Sequence, residues 1–215
     1  MKSKVVSRET IISQFKDGQV IGIGGQAEHA APNRLIDCLI ESGAKDLTIV
    51  SLDTAQPHIT VGRIIHTGRV KKLITTYIGR NMDTVEMYNR GDLEVELNPM
   101  GTLVERMRCG GMGMGGFLTK TGLGTIVQEN KQTVECNGET YLLEPALRVD
   151  IALTLARRAD PMGNLAYRGT SMNSNPIWAT AGDLSIVEVD HLLEVGELPM
   201  DDIRVPGVFV DMILA

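Results

Sequence analysis

Apolar residues fall in short runs along this chain, and the period of the runs changes between polar breaks. Val20–Ile23 is a short apolar run that ends in Gly24-Gly25. After Pro32, residues 33–42 place Leu35, Ile36, Leu39 and Ile40 on one helical face, which predicts a helix. Strand, glycine turn and helix in this order open a βαβ unit. Leu47–Leu52 is continuously apolar, the pattern of a parallel strand buried on both faces. Val70–Ile78 is a third strand by its β-branched residues, and Asp83–Asn89 a short helix. Leu93–Leu97 alternates like a strand with one wet face, and Thr102–Cys109 suits a helix.

Past residue 109 the pattern shifts. Gly110–Phe117 carries five glycines in eight positions, which is not expected inside a helix or strand because of its entropic cost. Asn137-Gly138 splits the β-rich stretch Thr133–Leu143 and predicts a hairpin. Val149–Leu155 and Leu184–Val189 read as buried strands, Ser174–Ala181 as a helix between them, and Val208–Leu214 as a last strand. Strands alternating with helices predict a single α/β domain over residues 1–215. Its sheet is open and mostly parallel, flanked by helices in three layers (α/β/α), and interrupted by a β-hairpin insertion.

Composition narrows the function classes. The 215 residues include 21 Lys plus Arg and 27 Asp plus Glu, a net charge of −6. That balance argues against non-specific nucleic-acid binding. No apolar run reaches the roughly 18 residues of a membrane span. Arg8, Glu9, Gln14 and Lys16 interrupt the N-terminus where a signal peptide needs an apolar core. Cys38, Cys109 and Cys136 cannot all pair and lack zinc-site spacing. They read as reduced thiols, and the chain as cytoplasmic. His29, His58, His66 and His191 lie far apart in no metal-binding motif, so no metal site is expected.

Two segments could carry chemistry. The first is Gly24, Gly25, Gln26, Ala27, Glu28, His29 and Ala30, directly after the first strand. In open α/β sheets ligands bind beyond strand carboxyl ends. Glycines there turn backbone N–H groups toward an oxyanion or phosphate. The segment lacks the G-x-G-x-x-G and Walker spacings, and a plain tight turn is the alternative. The second segment is Gly110–Phe117, with Gly113, Gly115, Gly116 and Phe117 as candidates for an interface or cleft. Either its backbone lies against a long ligand or partner chain, with Met112 and Met114 as an adaptable apolar face, or it is a crossover made small for close packing. No G-x-S-x-G elbow exists. Cys109, near Arg106 and Arg108, could be a nucleophile, although a helix-end cysteine packed inward is the simpler reading.

Asp17-Gly18, Val20–Ile23, Gly24-Gly25 and Pro32 stand in register with a signature of Asp/Asn-Gly, apolar strand and Gly-Gly-Phe-x-x-x-Gly-x-Pro. Further matches are Asp53-Thr54, Gly101–Arg106, Gly110–Phe117, Thr119–Thr125, Pro145-Ala146, Gly163–Leu165 and Asn175-Pro176. On these residues the chain resembles the A (alpha) subunits of family I CoA-transferases, of the acetate/acetoacetate type, over nearly its whole length.

The resemblance implies transfer of CoA between two short-chain carboxylic acids through a glutamyl-CoA thioester. Acyl-CoA is then a substrate, and no cofactor is tightly bound. It also implies a beta-subunit partner, in an alpha2beta2 assembly, that carries the attacking glutamate in Ser-Glu-Asn-Gly. The nearest string here is Gln128-Glu129-Asn130-Lys131, with Glu129 read as a surface residue, so this chain supplies half a site without its nucleophile. Segment 24–30 would then bind substrate and stabilise the oxyanion. Gln26 replaces the family's Phe, Ala30 its later Gly, and Glu28-His29 an apolar or small pair. These changes imply an acid with a polar substituent. A related CoA-ester hydrolase or lyase subunit, and a non-catalytic binding domain on the same scaffold, are the competing readings.

Overall fold

The computed structural model describes residues 2–215. Helices and strands alternate through the first half: α1 (Arg8–Ile12), β1 (Val20–Ile23), α2 (Asn33–Ser42), β2 (Leu47–Val50), α3 (Val61–His66), β3 (Val70–Thr75), α4 (Met82–Arg90), β4 (Glu94–Leu97) and α5 (Met100–Gly111). The second half holds β5 (Gly116–Thr119), β6 (Thr133–Cys136), β7 (Glu139–Pro145), β8 (Val149–Ala159), β9 (Leu165–Ala166), α6 (Asn175–Ala181), β10 (Gly182–Leu192) and β11 (Met212–Leu214). The main sheet runs β11-β10-β8-β1-β2-β3-β4 with every neighbour parallel. β9 adds antiparallel to β8. The expected open α/β sheet is therefore observed.

The chain leaves β1 outward through β2, β3 and β4, then returns to build β8, β10 and β11 on the other side. The carboxyl ends of β1 and β8 thus border a topological switch point, where such sheets open a crevice.

Both faces of the sheet are covered. On one, Ile21, Ile23, Ile49 and Leu73 pack with Ile11 of α1, Leu35 and Leu39 of α2, and Ile64 and Ile65 of α3. On the other, Trp178 of α6 and Leu103 and Met107 of α5 cover Val50, Ile74, Val149 and Ala152. Gly22 lies beneath this second layer. A Cβ there would come within 3.1–3.4 Å of Val149, Trp178 and Met107, so a strand glycine lets the helices close down.

α2 starts directly after the turn of interest, and Pro32 gives it no side-chain cap. The cap comes from β10: Glu188 accepts hydrogen bonds from the amides of Arg34 (2.8 Å) and Leu35 (3.2 Å), a carboxylate on the positive end of the helix. Burial pushes the Glu188 carboxyl above its ordinary range, although Arg34 and these amides pull it down.

Several elements differ from the sequence reading. β8 and β10 run 11 residues each, beyond the expected Val149–Leu155 and Leu184–Val189. Charged residues break the apolar pattern without ending the ladder, and Arg157 pairs with Asp190 across it at 3.0 Å. The last strand is shorter than Val208–Leu214: residues 207–209 form a 3₁₀ turn, with the carbonyls of Gly207 and Val210 turned onto Lys4 Nζ. The hairpin forms with Asn137 and Gly138 at φ 51° and 76°, as a primed turn requires. β5 joins it to make a three-stranded antiparallel sheet. The glycine run also needs correction. Gly110 and Gly111 complete α5, and Gly116 and Phe117 open β5. Cβ atoms at Gly110 and Gly111 would lie 2.2 Å from Leu147 O and 2.5 Å from Thr180 Oγ1. Close packing offsets the entropic cost of glycine in the helix. α1 and α3 were not expected. They are five and six residues long, too short to form without tertiary packing. Among the described residues no helix is long and apolar enough to cross a membrane.

Candidate active site

The turn after β1 is built by its neighbours. Gly24 extends the sheet ladder by donating to Leu153 O at 2.9 Å. Gly25 then turns the chain at φ 102°. Gln26 and His29 exchange backbone hydrogen bonds of 3.0 and 2.9 Å, closing a two-residue loop at Ala27-Glu28. Ala27 and Ala30 both adopt left-handed backbone, at φ 51° and 55°. Strained non-glycine residues persist only where the surroundings fix them.

Those surroundings come from two segments. Asp53, after β2, accepts hydrogen bonds from the amides of Ala27 (2.8 Å) and Ala55 (2.7 Å). Thr60 Oγ1 donates to Ala27 O at 3.1 Å. From the start of α6, Ser174 Oγ donates to Gly25 O at 3.3 Å. Fully buried Asn175 donates from Nδ2 to Ala30 O (3.0 Å) and Ser171 O (3.3 Å), and its Oδ1 accepts from Leu155 N at 3.0 Å. A Cβ at Gly24 would sit 2.2 Å from Asn175 Oδ1, so Gly24 is what lets Asn175 reach β8 and the turn together.

A cavity of about 340 Å³ opens in front of the turn, bordered by Gln26, Ala27, His29, Asp53, Tyr77 and Arg80. Gln26 and His29 are exposed. Glu28 is engaged elsewhere: its Oε1 accepts from Gln56 Nε2 at 3.0 Å and pairs with Arg80 at 2.9 Å. The amides of Gly24, Gln26, Ala27 and His29 are spent internally. Those of Gly25, Glu28 and Ala30 donate to no acceptor among the described residues. Gly25 is buried, and folded proteins rarely leave a buried backbone N–H without a partner.

The second segment lies apart from this cavity. Gly115 borders a separate cavity of about 410 Å³ with Glu96, Arg106, Lys131 and Glu144. Gly113 and Gly115 have open space where a Cβ would stand, whereas one at Gly116 would be 2.4 Å from Glu144 O. Phe117 is half-buried, and Met112 and Met114 are exposed. The structure also groups residues that the sequence left scattered. His58 and His66 meet with ring centroids 4.1 Å apart, and His66 Nδ1 lies 2.8 Å from Asp83 Oδ2. No motif spacing announces this cluster, because a loop and two helices each supply one member.

The model of the Coenzyme A transferase family matches residues 5–215. The chain belongs to that family. It is 45% identical to the acetate CoA-transferase subunit alpha of Escherichia coli K12, over 100% of this chain and 97% of that one. It is equally 45% identical to the acetoacetyl-CoA:acetate/butyrate CoA transferase alpha subunit of Clostridium acetobutylicum, over 100% and 98%. Among solved structures, an acyl-CoA transferase of E. coli O157:H7 superposes with a TM-score of 0.88 at 19% identity. That match covers 99% of this chain, which spans about half (47%) of the longer polypeptide. A variant of the decarboxylase AibA/AibB superposes at 0.82 with 26% identity, over 100% and 83%.

In this CoA-transferase alpha subunit, Cys109 is fully buried within α5, as its inward-packed reading requires. Glu129 is exposed just after a 3₁₀ turn, as expected of a surface residue. The departure at Ala30 acquires a physical meaning. The family's glycine at this place would adopt φ 55° without steric cost, whereas a Cβ costs roughly 1 kcal/mol there. Ala30→Gly is therefore expected to raise the thermal midpoint of the chain by about 2–4 °C. Differential scanning calorimetry measures this, and a lowered midpoint contradicts it.

Proposed function

We propose that this transferase subunit supplies the oxyanion and acyl-facing half of a heteromeric site that moves CoA between an acyl-CoA and a short-chain carboxylate. The partner is a beta subunit that brings the glutamate and carries the glutamyl-CoA thioester, in an alpha2beta2 assembly. The observation that carries this reading is the turn Gly24–Ala30 at the switch point. It is fixed from two sides, and the Gly25 amide is left without an acceptor, one residue before Gln26 and Ala27, which border the open cavity. Each attack on an acyl carbon develops an oxyanion, and one preorganised N–H lowers its energy by about 3 kcal/mol. The Gly113–Phe117 stretch, with the exposed Met112 and Met114, is the face offered to the partner.

The test is co-expression with the beta subunit, followed by CoA exchange between acetate and a panel of acyl-CoAs. Exchange that requires both chains supports the reading. Release of free CoA or carbon dioxide without exchange supports a hydrolase or decarboxylase.

The side chains around the cavity set substrate choice. Glu28 is neutralised by Arg80, which leaves Gln26 and His29 as the exposed polar groups of the turn. A desolvated polar group without a partner costs about 1–3 kcal/mol, so these groups favour an acid with a hydroxyl, amino or second carboxyl group over butyrate. Gln26→Phe combined with Ala30→Gly is expected to shift the kcat/KM ratio toward butyryl-CoA by roughly tenfold, the factor that about 1.4 kcal/mol gives. An unchanged ratio would show that both side chains point away from the acyl group.

A further inference from the structure

We propose that His58, His66 and Asp83 form a binding site for a divalent transition-metal ion of the zinc class. One ligand atom from each residue lies within 4.8 Å of the other two. A tetrahedral ion with ligands at about 2.1 Å holds them roughly 3.4 Å apart, so the separations need to close by at most about 1.4 Å. Both imidazoles are exposed and Asp83 is half-buried, so rotamer changes alone can make that adjustment. The hydrogen bond from His66 to Asp83 accounts for those two residues. It does not account for His58, whose ring meets that of His66 at 64° between planes. A shared ion accounts for all three. Two imidazoles and one carboxylate suit zinc, cobalt or nickel rather than calcium or magnesium, and the exposure of the site leaves a fourth position for water.

The site would join three elements. His58 belongs to the loop before α3, His66 to the last turn of α3, and Asp83 to the first turn of α4. That loop also carries Asp53, Gln56 and Thr60, which hold the turn at Ala27 and Glu28. A bound ion would therefore clip the support of the substrate-facing turn to the helical layer. The metal site stands on its own residues and does not depend on the reading of that turn.

The experiment titrates Co²⁺ into the full chain and follows its visible d–d absorption, with Zn²⁺ as competitor. His58→Asn, His66→Gln and Asp83→Asn are the variants. Asn is chosen at position 58 because its φ of 65° suits asparagine. Circular dichroism without metal confirms that each variant is folded, and any variant that is not is set aside in favour of the other two. One equivalent of Co²⁺, displaced by Zn²⁺, with at least tenfold weaker binding in the folded variants, is the expected result. Amide exchange over residues 53–60 should slow on Zn²⁺ addition in the unaltered chain only. Equal binding by the unaltered chain and the variants, or no d–d bands at all, overturns the site. Binding without slowed exchange overturns the clip.

Discussion

Gly25→Val in the assembled enzyme is expected to lower kcat by about 10²–10³-fold, the loss seen when one oxyanion donor is removed. At φ 102° the residue occupies backbone that L side chains rarely adopt. An added Cβ would lie 2.8 and 2.9 Å from Ala31 Cα and N, and 3.0 Å from Ala30 O. These are backbone atoms, so the turn itself must move, and with it the Gly25 amide. The disturbance is confined to the tip between β1 and α2, so the subunit should still pair with its partner in gel filtration. Steady-state turnover decides the matter. Activity within twofold, on the order of 0.4 kcal/mol of barrier, would mean that this amide does not face the reaction.

Asn175→Ala is expected to cost about 3 kcal/mol of stability and to lower the thermal midpoint by roughly 6–12 °C. Asn175 is fully buried and joins three backbone groups: Leu155 N on β8, Ala30 O at the end of the turn, and Ser171 O. Truncation leaves each of them without its partner in a place water does not freely reach, at about 1 kcal/mol or more apiece. The same change frees Ala30 from its hold, so the activity of the assembled enzyme should fall with stability, even at temperatures where the variant remains folded. Asn175→Asp separates the two contributions. It keeps the acceptor for Leu155 N but cannot donate to Ala30 O. A midpoint unchanged in Asn175→Ala would show that the turn holds itself.

Much of this arrangement is legible in the sequence where the local pattern and the fold agree. Val20–Ile23 and the helix at 33–42 have the boundaries that periodicity assigns, because β1 is buried and α2 shows one apolar face. Asn137-Gly138 fixes its hairpin through backbone preference alone. What stayed hidden depends on distant partners. The cap on α2 is Glu188, more than 150 residues away. α3 is six residues long, and Thr60 at its N-cap makes no capping hydrogen bond, because its hydroxyl donates to Ala27 O instead. Arg157 and Asp190 break the apolar pattern of β8 and β10, and only the ladder shows that they face each other as an ion pair.

The candidate site divides in the same way. Gly24, Gly25 and the turn were readable because glycines follow a buried strand. Their supports were not: Asp53, Thr60 and Asn175 act through single hydrogen bonds that leave no periodic trace. Glu28 showed its charge but not its partner, since Arg80 reaches it from the loop before α4. The glycine-rich stretch read as one feature and is two. Its first glycines seat α5 against Leu147 and Thr180, and Gly113 and Gly115 face open space.

The account stands most directly on where the covalent intermediate forms. Each chain of the co-expressed enzyme would be weighed by intact-mass spectrometry after brief exposure to acyl-CoA without acceptor acid. A CoA adduct on the beta chain, with this subunit unmodified and inactive when purified alone, is the expected result. An adduct on this subunit, or CoA transfer by this subunit alone, would contradict the division of the site between two chains.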